Sequence, residues 1–214
     1  MKIVFIFAHP DDESFGPGGT IAKLSVDNDV HVFSLCNGAR PGNENVSSQR
    51  VKSFYEACKL FGATGTIHNV PDLALTAQPT IHKLESIIAQ MKPDVVYTHS
   101  ISDIHQDHRV VAEATMVACR PKPQSTIKEL YFCEIPASSD WSFYKVQPTF
   151  EPNVFVDVGD FINIKKQALD LYQTETYQYP DARSIESMET RAKFRGTQIG
   201  VNYAEAFQLV FSRR

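Results

Sequence analysis

The sequence predicts an α/β fold: a Rossmann-like, mostly parallel sheet with helices on both faces. Three observations carry this expectation. Short runs rich in β-branched and aromatic residues alternate along the chain with longer amphipathic stretches. In those stretches apolar residues recur at i, i+3, i+4 and i+7, the period of one helix face. The chain shows no internal repeat, low-complexity run or linker, so its 214 residues are expected to form one domain, 1–214.

The elements follow in order. Lys2–Ala8 reads as a first strand, too short for the apolar core of a signal peptide or for a membrane span. Gly19–Val26 is a short helix and Val30–Leu35 a second strand. Val51, Phe54, Tyr55, Cys58 and Phe61 mark one helix face; Ile81, Leu84, Ile87, Ile88 and Met91 mark another. Between them lies the strand Thr66–Val70, and Val95–His99 follows. Val110, Val111, Ala114, Val117 and Ala118 place a helix over Arg109–Cys119. Strands at Glu129–Ile135, Val154–Val158 and Phe207–Phe211 are interleaved with a loop-rich stretch around Pro136–Pro152. Helices near Phe161–Gln173 and Ile185–Phe194 complete the pattern.

Hydrophobic residues make up 43% and charged residues 21%, the balance of a soluble globular chain. A formal net charge of -4 offers no basic stripe, which argues against a nucleic-acid partner. Cys36, Cys58, Cys119 and Cys133 show no CxxC pairing, so reduced, buried thiols and a cytoplasmic location are expected, with no membrane insertion.

Two segments carry chemistry: His9-Pro-Asp-Asp-Glu13 and His105-Gln-Asp-His108. Both lie directly after predicted strands, at the carboxyl edge where open α/β sheets build their sites. Imidazole and carboxylate together suit a catalytic zinc, which takes three protein ligands and keeps one position open. The same set fits Fe(II), Mn(II) or Co(II), so ligand types leave the metal open. His9, Asp12 and His108 are assigned as ligands and Asp11 as the general base. A protonated His105 would stabilise an oxyanion or donate a proton, with Asp107 holding it charged. Taken alone, Asp-Asp-Glu at a helix start reads as capping, and His-x-x-His is a weak signal. Together, at strand ends of one sheet, they describe metal-assisted amide hydrolysis.

Ala8-His-Pro-Asp-Asp-Glu13 with His105-Gln-Asp-His108 resembles the PIG-L/LmbE family of zinc-dependent N-deacetylases. Lys92-Pro-Asp-Val-Val-Tyr-Thr-His99, Arg50–Gly62 and Ile199–Phe207 extend the likeness over most of the chain. The resemblance implies removal of an acetyl group from an N-acetylglucosamine-type sugar, with the same residues in the same roles. Arg50 sits where the family often has a substrate-contacting arginine; a helix-surface salt bridge explains it equally well. Two departures are expected to bear on substrate: Cys36-Asn-Gly-Ala39 replaces a Thr-x-Gly-Glu-like loop, and Ser53 stands where the family often has Glu.

Two other functions fit less closely: an amidase acting on a sugar–thiol conjugate, and a sugar- or nucleotide-binding module without catalysis. Against the module, Gly16-Pro-Gly-Gly-Thr20 is not Gly-x-Gly-x-x-Gly, and acidic residues fill the turn a pyrophosphate would need. The loops Asn37–Asn45 and Pro136–Gln147, with Trp141, Phe143 and Tyr144, would serve as walls for a sugar ring or as a homo-oligomer interface.

Overall fold

The computed structural model describes residues 1–39, 44–142 and 149–213. Its elements run β1 (Lys2–Phe7), α1 (Asp12–Phe15), α2 (Gly18–Leu24), β2 (Asp29–Cys36), α3 (Glu44–Phe61), β3 (Thr64–Val70), α4 (Ala77–Met91), β4 (Val95–His99) and α5 (Gln106–Ala118). After β5 (Glu129–Cys133) come β6 (Val154–Asp157), a 3-10 turn, α6 (Ile162–Asp170), α7 (Ile185–Thr197) and β7 (Ala204–Ser212). The sequence-based elements match these closely, except α1, a single turn whose residues also serve the site. Phe143 and Tyr144 lie outside the described residues.

One seven-stranded sheet joins them in the order β3-β2-β1-β4-β5-β7-β6. The first five of these strands pair in parallel, whereas β7 runs antiparallel to both β5 and β6. The expected α/β class, mostly parallel, is therefore the observed one. The chain turns from β1 outward to β2 and later returns to place β4 on the other side of β1. The crevice between β1 and β4 is thus a topological switch point, where such sheets receive ligands.

Alternation along β1 explains why both faces are covered. Ile3, Phe5 and Phe7 enter one core with Phe54, Ala57 and Phe61 of α3 and Ala168 and Leu169 of α6. Val4, Ile6 and Ala8 enter the other, with Leu84 and Ile87 of α4 and Val111 and Ala114 of α5. Successive side chains leave a strand on opposite sides, so a fully apolar strand needs helices on both. Cys36, Cys58, Cys119 and Cys133 are free and buried. Among the described residues, no helix is long and apolar enough to cross a membrane.

The last strand also anchors the first helices. No side chain near Pro17 caps α2; instead the carboxylate of Glu205, on β7, accepts from Gly19 N at 3.0 Å and Thr20 N at 2.7 Å. Lys165 on α6 donates to Glu205 Oε1 at 2.6 Å and to the carbonyl of Gly16, and both side chains are buried. Breaking a buried pair strands an uncompensated charge. Lys165→Met is therefore expected to destabilise the protein by about 3–5 kcal/mol, read as a lower urea midpoint with unchanged slope. A midpoint within error of the parent would show that the pair contributes nothing to holding β7 on α2 and α6.

Candidate active site

His9 lies just beyond β1, and the turn after it is tightly built. Asp11 adopts φ 134°, a region L-residues rarely occupy, and a non-glycine residue held there costs on the order of 1–3 kcal/mol. Neighbours hold the turn in place. Asp11 O accepts from Ser14 N and Phe15 N, starting α1, and Asp11 N donates to Glu13 Oε2 at 3.0 Å. Glu13 is wholly buried and accepts from Tyr172 Oη at 2.7 Å and Ser14 Oγ at 2.7 Å. Burial pushes its carboxyl up to about 7. The last acid of the motif is thus a brace for the turn and faces away from the cavity chemistry.

The three ligand candidates converge. His9 Nδ1 lies 3.2 Å from His108 Nε2, and the Asp12 carboxylate faces both rings, Oδ2 at 3.5 Å from His9 Nδ1 and Oδ1 at 3.4 Å from His108 Nε2. Ligand atoms about 2.0–2.1 Å from a tetrahedral zinc stand roughly 3.3–3.4 Å apart, and the spacing of the two imidazole nitrogens is close to that. The groups His9–His105–His108 and Asp12–His99–His108 are also close enough to share one. Electrostatics agree with the geometry. Burial alone would make His108 neutral, yet Asp12 and Asp103 raise it to about 9. Hydrogen bonds to Asp107, Asp12 and Asp72 likewise outweigh burial and raise His9 well above its ordinary value. The carboxylates create a demand for positive charge that a divalent cation would meet in place of protons.

A supporting shell fixes each ring. His108 Nδ1 faces Asp103 Oδ2 at 3.0 Å, and that same oxygen accepts from Ser138 Oγ at 2.7 Å and Ser139 Oγ at 3.0 Å. His9 Nε2 faces Asp72 Oδ1 at 2.9 Å and Asp107 Oδ2 at 3.1 Å. His99, the last residue of β4, stacks on His108 with ring centroids 3.9 Å apart and accepts from Ala8 N at 2.8 Å. Burial, with the charge of His108 beside it, lowers His99 to about 4.

Asp107 is where the structure departs from expectation. Its carboxylate does not hold His105; it accepts from Leu73 N at 2.7 Å and meets His9. Residues two apart on a helix project to different sides, so Asp107 cannot follow His105 across the start of α5. It is the Asp107 backbone N–H that reaches His105, donating to Nδ1 at 3.2 Å, because His105 is the N-cap of α5. With Nδ1 accepting, the ring proton sits on Nε2. Burial, with the charges of His108 and His9, lowers His105 to about 4, which favours the neutral ring over the expected imidazolium.

Arg50 is also not a helix-surface pair. It is buried, donating to Pro10 O and from Nη2 to Asp11 Oδ2 at 3.1 Å. Gly38, at φ 71°, lets the backbone there pass close to its guanidinium, where a Cβ would come to 3.1 Å of Arg50 Nη1. Arg183, from the irregular stretch between α6 and α7, donates to the same Asp11 oxygen at 2.7 Å and stacks over Phe15 at 4.1 Å. Ser53, a departure noted in the sequence, donates to Leu171 O at 2.7 Å and lies outside the cavity lining. The cavity itself is about 80 Å³ and is lined by His9, Asp11, Asp12, His105, His108, both arginines, Asp72, Ser138, Ile135 and Glu175. Sequence reasoning missed Asp72, His99, Asp103, Glu175 and Arg183. Three of them stand at or just beyond strand ends, a positional signal that was available; Glu175 and Arg183 carried none.

Similarity to known proteins extends over both motifs and the fold. A family profile described as "PIG-L: GlcNAc-PI de-N-acetylase" matches residues 4–119, which include both motifs. An Escherichia coli K12 protein named uncharacterized deacetylase YaiS is 33% identical over 181 residues, covering 80% of this chain and 90% of its own. A Bacillus cereus protein named probable N-acetyl-alpha-D-glucosaminyl L-malate deacetylase 2 is 24% identical, covering 81% of this chain and 83% of its own. Among solved structures, N,N'-diacetylchitobiose deacetylase from Pyrococcus horikoshii superposes with a TM-score of 0.78 at 22% identity, covering 98% of this chain and 83% of its own; at that identity it speaks for the fold alone. With the profile spanning more than half of its length, this chain belongs to the PIG-L family.

Proposed function

We propose that this protein is a zinc-dependent N-deacetylase that hydrolyses the acetamide of an N-acetylglucosamine-type sugar or its conjugate. The observation that carries the reading is the convergence of His9 Nδ1, Asp12 and His108 Nε2, with Asp11 and His105 lining the same cavity. The names of the similar curated deacetylases support the substrate class. A divalent ion on those three atoms would supply Lewis acidity, polarising an amide carbonyl and acidifying water.

The remaining steps fall to the chain's own residues. Asp11 takes the proton of the attacking water, whose oxygen bonds to the acetamide carbon. Nε2–H of His105 donates to the oxygen that gains negative charge. When the C–N bond breaks, Asp11 returns its proton to the leaving amine, so acetate and a free amino sugar result. Arg50 and Arg183 clamp Asp11 Oδ2 and keep the base aimed despite the strained backbone beneath it. Asp107 serves as the acceptor that orients His9, in place of the partner of His105 expected from sequence.

Three measurements test this reading. Asp11→Asn, which is nearly isosteric, should keep its metal while losing about 10²–10⁴-fold in turnover. Full deacetylation by that variant would sink the base assignment. In His108→Ala, metal content and acetate release should disappear together; retained metal at parent stoichiometry would point to a different ligand set. Asp103→Asn should weaken zinc binding about 10–100-fold in chelator competition, because His108 loses the acceptor for its second nitrogen. Unchanged affinity there would reduce Asp103 to a loop anchor. Acetate release from N-acetylglucosamine, its lipid and nucleotide conjugates and chitooligosaccharides separates the leading substrate class from a sugar–thiol amidase.

A further inference from the structure

Behind His9, on its Nε2 side, a second set of potential ligands gathers around residues that the mechanism above uses only to orient that ring, together with Cys36, which it does not use. Cys36 ends β2 in place of the threonine that the family pattern often carries, and it is fully buried. Its Sγ, His9 Nε2 and an Asp107 carboxylate oxygen all lie within 4.8 Å of one another. Asp107 Oδ2 is 3.9 Å from Cys36 Sγ and 3.1 Å from His9 Nε2, and Asp72 Oδ1 is 2.9 Å from the same nitrogen.

Nε2 carries at most one proton, yet two buried carboxylates converge on it. Asp107 is wholly buried and its Oδ1 has no hydrogen-bond partner among the described residues. The tetrahedral edges expected around an ion with one thiolate are about 3.3 Å between N and O and about 3.5 Å between S and O. The observed spacings lie within about 0.4 Å of these. A thiolate beside imidazole and carboxylate suits zinc, cadmium or another thiophilic divalent ion better than magnesium or calcium.

We propose that His9 Nε2, Cys36 and Asp107 form a second, inner metal site for a thiophilic divalent cation, with Asp72 beside it. Binding releases the Cys36 thiol proton and the Nε2 proton to solvent, and when both sites are filled His9 bridges them as an imidazolate. The inference rests on the reading above only in leaving Nδ1 of His9 to the first ion.

Cadmium titrated into metal-depleted protein tests it, with native mass spectrometry counting ions and ultraviolet thiolate-to-metal charge transfer reporting sulfur ligation. The parent should take two ions and develop the charge-transfer band, whereas Cys36→Thr and Cys36→Ser should take one and develop none. One ion without the band in the parent overturns the inner site and leaves the His9–Asp12–His108 reading standing. A band that persists in both variants places the thiolate elsewhere and also overturns it. One ion with a Cys36-dependent band supports the inner site and overturns the outer one. Should neither variant fold, X-ray absorption of the cadmium-loaded parent decides: a sulfur neighbour supports the proposal and its absence refutes it.

Discussion

Parallel pairing of β1 with β4 is the constraint on which the rest of this molecule depends. Parallel strands end at the same edge of a sheet, so segments leaving them are delivered to one crevice however far apart they lie in the chain. Ile3 to Ile6 pair in register with Val95 to Thr98, which brings His9 and His108 to within hydrogen-bond distance across a separation of 99 residues. The reversal of strand order at this point leaves the crevice open between the connections to β2 and to α5. Neither motif would make a site alone.

Charge then decides how the crevice is used. Asp11, Asp12, Asp72, Asp103 and Asp107 are all buried around it, and burying so many carboxylates is tolerable only if cations meet them. Two arginines answer Asp11 from opposite directions, one from α3 and one from the α6–α7 connection. The others converge on His9 and His108. Each imidazole is therefore gripped on both nitrogens, which fixes ring orientation before any ligand arrives. The strained Asp11 backbone belongs to the same economy: Glu13, Tyr172 and the start of α1 hold a conformation the residue would not choose alone.

The sheet and most helices were legible because their signals are local. Apolar alternation in Lys2–Phe7 and the i, i+3, i+4 pattern of Ile81–Met91 need no partner to be recognised. The convergence of His9, Asp12 and His108 was legible because imidazole and carboxylate at strand ends of one sheet are delivered to one edge. The contacts of Asp107 were not legible from proximity in sequence: two positions along a helix turn a side chain away, and α5 starts at Gln106, three residues before the expected Arg109. Arg183 gave no signal, since it sits in an irregular segment and its partner is 172 residues distant.

By itself, then, the sequence determined the α/β class, the strand-end placement of both motifs and the donor types available to a cation. These follow from periodicity and residue chemistry, which are properties of short segments. Only the tertiary structure decided which carboxylate faces which nitrogen, that His105 is an N-cap with its proton on Nε2, and that Cys36 stands behind His9. Those outcomes depend on the direction in which side chains leave elements brought together by sheet pairing, and direction is not written in spacing.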